Sequence, residues 1–506
     1  MTACDVIVIG GGHNGLVTAA ALAGKGRSVL VLERHATLGG LAVGDEFHPG
    51  YTSAGPLHDT STFASALRAE LDLDAVETPP AVFTPQIPDA GPGLLLHRDP
   101  GRAAAEIGRQ NAVDANRYAD YRAFIDRVGG FLTGVLERPP PTPDALRSLL
   151  GPAIRLRRLG RIDMLEVLRV APMCVADWLK EHFESELLSS TLAVPALAGT
   201  RSGPWSPGTA ANLLRSEALT RSGIRGGAAT LIDALARHAR DRGVAIRTEA
   251  TVTRLRTEGG RVVGVTLADG ETIDAPIVAA SCDPKHTQLE LLAPATLAPR
   301  LHHRMTKVRA SGAMAIVDLA LSAPLRFGCR PELDVAHARV VGTIDDMERA
   351  FDATKYGRVS AEPILEVVVP TVETPSLAPP GHHVASIMTH FAPYDLDGGW
   401  TGDVADTLAD TVIARLATFA SDLPGSIVAR RVRTPVDLET RYGVTGGHIH
   451  HVEHALDQLI VRPDPECARY ATPVAGLYLC GSGAHPGGGL TGLPGMLAAE
   501  TILGGS

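Results

Sequence analysis

The feature that most constrains this chain lies at its start. Residues 5 to 9 read Asp-Val-Ile-Val-Ile, an apolar run suited to a buried parallel strand, and Gly10-Gly11-Gly12-His13-Asn14-Gly15 follows at once. An Ala- and Leu-rich helical segment from about Leu16 to Ala23 is broken at Gly24 and Gly26 and leads into a second apolar run, Ser28 to Leu32, closed by Glu33. Strand, G-x-G-x-x-G loop, helix, strand and acid in this order describe a dinucleotide-binding βαβ unit. Gly10 permits the tight turn, Gly12 lets backbone approach a pyrophosphate, and Gly15 lets helix and strand pack closely, with the phosphates at the helix N-terminus. Glu33 stands 18 residues after Gly15, where a carboxylate can accept both ribose hydroxyls.

The far end of the chain decides which dinucleotide. Strand-like Gly476 to Cys480 runs into the loop Gly481-Ser482-Gly483-Ala484-His485-Pro486-Gly487-Gly488-Gly489 and then a helix from about Pro494. A returning strand, glycine loop and helix can set backbone N–H groups on a pyrophosphate and a helix N-terminus at the flavin pyrimidine edge, where the reduced ring is negative. This predicts FAD rather than NAD. A second complete G-x-G-x-x-G for a nicotinamide is missing, so electrons are expected to enter from an organic substrate and leave to O2, a quinone or another carrier.

The remaining composition narrows the class. The 506 residues carry 47 basic and 56 acidic side chains, a net charge of −9, without a basic block, which argues against nucleic acid as a partner. The six cysteines show no C-x-x-C spacing, so a redox-active disulfide and a thiolate metal site are both disfavoured, and a reducing cytoplasmic setting is expected. No apolar stretch reaches the roughly 20 residues that span a bilayer. From about 60 to 215 the pattern is mainly helical, with interruptions at Pro79-Pro80 and Pro139 to Pro143. Within it, Leu146 to Val170 interleaves Arg147, Arg155, Arg157, Arg158, Arg161 and Arg169 with Leu and Ile, as a solvated helix face or a membrane-docking one would.

Further motifs carry a resemblance. The Gly39-Gly40 pair after Glu33-Arg34, the segment Gly223-Ile224-Arg225-Gly226-Gly227, the stretch GGHIHHVEHALDQLIVRPD and the ending GLYLCGSGAHPGGGLTGLPGMLAA are similar to the phytoene desaturase-like flavoproteins. The likeness is greatest to a branch named for a pyridine nucleotide-disulfide oxidoreductase domain, although no cysteine pair supports that name. The resemblance implies an α/β fold: a discontinuous Rossmann-like FAD-binding domain (1–75, 216–290, 465–506) and an α+β substrate domain of mixed sheet and helices (76–215, 291–464). By position, Gly10, Gly12, Gly15, Glu33, Arg34, Gly39 and Gly40 would hold the adenosine and pyrophosphate half, and Val252 would pair with adenine through its backbone. Gly483 and Ala484 would approach the pyrophosphate, and Leu493 and Pro494 the flavin ring. Leu41 and Ala42 stand where wider relatives often have Arg, so one phosphate or flavin contact is expected to differ.

Catalytic candidates come from the same likeness. His451, Gln458 and Arg462 match the family pattern, His451 as a group beside the flavin that orients substrate or moves a proton, and His485 comes from the loop expected beneath the ring. His448, His450, His451 and His454 cluster, with His450 and His454 at helical spacing, yet no carboxylate-rich helix accompanies them and a metal is not expected. The implied activity is FAD-dependent dehydrogenation of an apolar organic substrate, isoprenoid or lipid-like, across a C–C bond. Isomerisation, saturation, amine oxidation and a non-enzymatic carrier remain the alternatives.

Overall fold

The computed structural model describes residues 4–76, 81–87, 90–141 and 146–504. Pro79-Pro80, the Thr142-Pro143 end of the proline run and the Arg147 side chain lie outside the described set.

All four side chains of β1 (Val6–Ile9) are buried, so both of its faces must be covered, which is the situation of a central parallel strand. It pairs in parallel with β2 (Val29–Leu32) on one side and Ile277–Ala280 on the other. Leu477–Leu479 extends the sheet beyond 277–280, and Ala245–Arg247 extends it beyond β2, giving five strands drawn from distant parts of the chain. α1 (His13–Ala23) packs against the helices Leu493–Gly504 and Gly227–Asp241. An antiparallel three-stranded sheet is formed by Val252–Glu258, Arg261–Leu267 and Thr272–Asp274, with a turn at Asp269-Gly270 between the last two.

A second layer is a seven-stranded mixed sheet in the order 427–433, 314–321, 383–390, 365–368, 337–340, 82–84, 94–96. Helices between Pro100 and Leu219 form a separate apolar cluster centred on Trp178, Tyr121 and Phe183. The fold is therefore α/β, a Rossmann-like parallel sheet beside a mixed sheet and helices.

Two local features differ from the sequence reading. Val82–Thr84 and Leu94–Leu96 are strands inside the stretch read as helical. Three-residue apolar runs have no measurable period; 82–84 is fixed by pairing with 337–340, and 94–96 by pairing with 82–84. The basic segment is two helices, Leu146–Arg158 and Arg161–Val170, broken at Gly160, whose φ is +85°.

Candidate active site

The glycine loop shows a separate reason for each glycine. Gly10 has φ +98°, a conformation that L side chains rarely adopt. A Cβ on Gly15 would stand 2.0 Å from the Gly10 carbonyl oxygen, so α1 can approach β1 only without one. At Gly12 a Cβ would meet no atom within 4 Å, and the residue lines a cavity of ≈ 410 Å³. That open space over backbone is the cradle a dinucleotide pyrophosphate requires.

The surrounding residues fit the same group. Buried Glu33 accepts from the Gly11 N–H through Oε2 at 2.7 Å and from the His35 N–H through Oε1 at 2.9 Å, so it fixes the loop while lining the cavity. Gly39 donates its N–H to the Gly11 carbonyl at 2.9 Å, and Gly39, Gly40, Arg34 and Val252 all line the cavity. Arg34 also donates to the Arg441 carbonyl. Leu41 lines the cavity as well, giving it one aliphatic side chain beside the glycines. Across the loop after Ile277–Ala280, Asp283 accepts from the Thr445 N–H at 3.0 Å and the Thr445 hydroxyl at 2.9 Å, and burial raises its pKa.

A second cavity of ≈ 320 Å³ adjoins the first, with Leu57 lining both. Its wall mixes apolar side chains (Val76, Ile224, Met314, Val367, Met388, Leu490) with the pairs Asp59 and Arg98, Arg339 and Glu366. Glu366 accepts from His390 Nε2 at 2.7 Å and lies 3.5 Å from the Arg339 Nε. Among the described residues, no Phe, Tyr or Trp lines this cavity.

The histidine cluster divides between the two spaces. His448, His450 and His454 line the second cavity, whereas His451 lines the first, in a left-handed backbone conformation with φ +65°. His454 Nε2 accepts from the Gly488 N–H at 3.1 Å, leaving Nδ1 to donate to the Ala198 carbonyl at 3.3 Å. That pairing describes a neutral imidazole. Burial depresses the whole group: His448 to about 4, His451 to about 3, and His450 and His454 well below the ordinary value. The Nδ1 atoms of His450 and His451 have no hydrogen-bond partner among the described residues.

The other residues named from the sequence lie outside both cavities. Gln458 clamps the Arg309 backbone, accepting from its N–H at 3.0 Å and donating to its carbonyl at 3.3 Å. Fully buried Arg462 donates to the Val452 carbonyl at 2.7 Å and the Gly483 carbonyl at 3.3 Å, and burial lowers its pKa to about 9. His485 Nδ1 pairs with the Ile460 carbonyl at 2.9 Å, so its ring points into the packing behind the loop. Gly483 and Ala484 are packed too tightly to face a cavity, a Cβ on Gly483 falling 2.4 Å from Pro284, and Ser482 lines the first cavity in their stead. Leu493 and Pro494 are buried at the start of the last helix, while Gly489 and Leu490 face the second cavity.

One wall residue carried no signal in the sequence. Arg215, on the helix Thr209–Leu219, lines the second cavity and is 7% exposed. It donates to the carbonyls of Pro486 at 3.2 Å and Gly488 at 2.8 Å, and burial lowers its pKa to about 10. Nothing in the run Asn212-Leu213-Leu214-Arg215 distinguishes it from a surface arginine.

Comparisons with known proteins agree with this geometry. Residues 15–495 match the family described as flavin containing amine oxidoreductase. The chain is 32% identical over 540 residues to the mouse (Mus musculus) pyridine nucleotide-disulfide oxidoreductase domain-containing protein 2, covering 99% of this chain and 93% of the relative. It is 26% identical over 513 residues to a lycopene-forming phytoene desaturase of Pantoea ananas, covering 98% of each. Among solved structures, an oxidoreductase from Methanosarcina mazei superimposes with TM-score 0.61 at 16% identity, over 99% of this chain and 100% of that one.

Proposed function

This chain belongs to the flavin containing amine oxidoreductase family, on its phytoene desaturase-like side, and is an FAD-dependent oxidoreductase; from that premise we propose that it dehydrogenates a small organic substrate across a C–C bond. The observation that carries the reading is the pair of cavities joined at Leu57, one over the Gly12 cradle and one whose wall combines aliphatic and polar side chains with no Phe, Tyr or Trp among the described residues. FAD, when bound, supplies the electron acceptor for the pair of electrons removed from substrate. The chain's residues do the rest: Gly10 to Gly15, Glu33 and Gly39 to Gly40 hold the nucleotide half, and the aliphatic wall positions substrate and excludes water. His451, with an unpartnered nitrogen at the first cavity, is the group assigned to the cofactor side. Gln458, Arg462 and His485 are assigned to holding backbone. Residues 1–75, 216–290 and 465–506 form the cofactor domain in this reading, and 76–215 with 291–464 the substrate domain.

Amine oxidation is less well supported. An amine substrate gains from Phe, Tyr or Trp faces, none of which lines the second cavity among the described residues, and Arg215 on its wall would repel an ammonium group. The test is an absorbance spectrum of purified protein followed by anaerobic addition of NADH or NADPH. A yellow protein that stays oxidised with nicotinamide is expected. Rapid bleaching would replace dehydrogenation by a nicotinamide-driven reaction such as saturation.

A separate observation favours contact with a membrane surface. Leu150, Ile154, Ile162, Leu165 and Leu168 are each more than half exposed, and Arg157, Arg158 and Arg161 are exposed beside them. Among the described residues no helix is long and apolar enough to cross a membrane, so the contact in this reading is peripheral. Co-sedimentation with anionic vesicles, and not with zwitterionic ones, is the expected result; co-sedimentation with neither removes it.

A further inference from the structure

The cations on the wall of the second cavity are not equivalent. Arg339 faces Glu366, and Arg98 is held in the field of Asp59. Arg215 faces no carboxylate among the described residues; its hydrogen bonds end on the Pro486 and Gly488 carbonyls. Those carbonyls offer partial charge and leave a buried guanidinium uncompensated, an arrangement that ordinarily destabilises a fold unless an anion completes it. Arg462, a second buried cation, interacts with Arg215 and adds to the excess of positive charge. His450 stands on the same wall with Nδ1 unpartnered, so the site holds a fixed positive charge beside an unused imidazole nitrogen. The rest of the wall mixes aliphatic side chains with polar ones; its carboxylates Asp59 and Glu366 face Arg98 and Arg339, and burial pushes Glu373 toward its neutral form.

Building on the reading that this cavity takes the substrate, we propose that Arg215 is a recognition point for an organic carboxylate, and that the substrate is amphipathic, an apolar body with an acidic head group. A planar guanidinium binds a planar carboxylate through two parallel hydrogen bonds, and in a water-poor cavity such a charge-assisted pair outweighs its loss of hydration once the guanidinium is already desolvated. A hydrocarbon fills the aliphatic wall equally well but leaves Arg215 uncompensated.

The test is calorimetric titration of the FAD-loaded, oxidised protein with decanoate and with decanol, which share the apolar body. Decanoate is expected to bind about tenfold or more tightly than decanol. Arg215→Gln removes that preference, and Arg215→Lys, which keeps the charge but not the paired hydrogen bonds, retains only part of it. Should either substitution fail to yield folded protein, the comparison of the two ligands on the unsubstituted enzyme still decides. Equal binding of the two, or decanoate binding unchanged in Arg215→Gln, overturns the proposal; a fall in flavin midpoint potential alone in that variant would assign the charge to the cofactor, which also overturns it. A preparation that cannot be loaded with FAD defeats the earlier functional reading, whereas a loaded one without carboxylate preference defeats only this inference.

Discussion

The glycine loop after β1 and the wall of the second cavity sit on either side of Leu57, yet they are built in opposite ways. The loop is one continuous stretch whose every residue is explained by its neighbours: a turn at Gly10, a close packing at Gly15, a cradle at Gly12. The wall is assembled from segments near 57, 98, 215, 339, 366, 450 and 488, and no two of its charged groups are sequence neighbours in a recognisable spacing. Binding a nucleotide common to many proteins uses local backbone geometry; selecting a substrate uses side chains that only the tertiary fold brings together.

The sharpest way to break this contrast is Gly15→Val. Its branched side chain would be forced against the Gly10 carbonyl oxygen, backbone that cannot move aside without displacing β1. Overpacking by a few methylenes costs about 1–3 kcal/mol in a side-chain core, and a backbone obstruction costs more. Little folded protein and no bound flavin are expected from absorbance and thermal unfolding; a yellow, normally stable variant would mean that the approach of α1 to β1 is not fixed by this residue.

The buried histidines around the two cavities predict a strong pH effect. His13, His448 and His485 titrate at about 4 in the folded protein and His451 at about 3, all lowered first by burial, against about 6.5 when unfolded. Above pH 6.5 both states are neutral and these groups contribute nothing. As the pH falls below 6.5 the unfolded chain takes up protons that the folded chain refuses, so stability is lost through the window from about 6.5 down to 4, by several kcal/mol in sum. Thermal unfolding midpoints measured across that range should drop steeply, and a flat profile would mean that the imidazoles are hydrated rather than buried.

What the sequence disclosed follows the same division. Strand, loop, helix and acid at residues 5 to 33 could be placed because each is set by local propensity and one short-range contact. The returning strand at 477–479 was also legible, since an apolar run before a glycine loop is local too. The strands 82–84 and 94–96 were hidden, because the first owes its conformation to a partner more than two hundred positions away and the second pairs only with the first. Among the residues lining the first cavity, Gly10, Gly12 and Glu33 stand in the fingerprint and Val252 comes only from the resemblance, whereas Arg215 on the second carried no signal: its meaning lies in the carbonyls of residues 486 and 488 and in the lack of a facing carboxylate among the described residues. Gln458 and His485 show the converse, polar residues in a prominent motif that the fold spends on backbone.

Gly12→Ala sharpens the loop side. The added methyl meets no protein atom within 4 Å, so the fold should tolerate it and the apo protein should unfold at an unchanged temperature. The methyl projects instead into the cradle, and FAD affinity should fall by about tenfold or more, the loss of one charge-assisted contact's worth of binding. Flavin fluorescence during titration of apo protein measures it; equal affinity would place the pyrophosphate away from Gly12.

The smallest effect belongs to Gln458→Ala, which separates holding from chemistry on the wall side. The side chain makes two neutral hydrogen bonds to the Arg309 backbone and lines neither cavity. Each such bond contributes about 1 kcal/mol net, and the Arg309 N–H and carbonyl can turn partly to water because the neighbouring Arg309 side chain is 48% exposed. A modest fall in the urea unfolding midpoint is therefore expected, with the rate of flavin reduction by substrate within a factor of about two of the unsubstituted enzyme. A fall in that rate by more than about tenfold, with the unfolding midpoint unchanged, would return Gln458 to the reacting groups and require the segment 456–458 to face the cofactor during turnover.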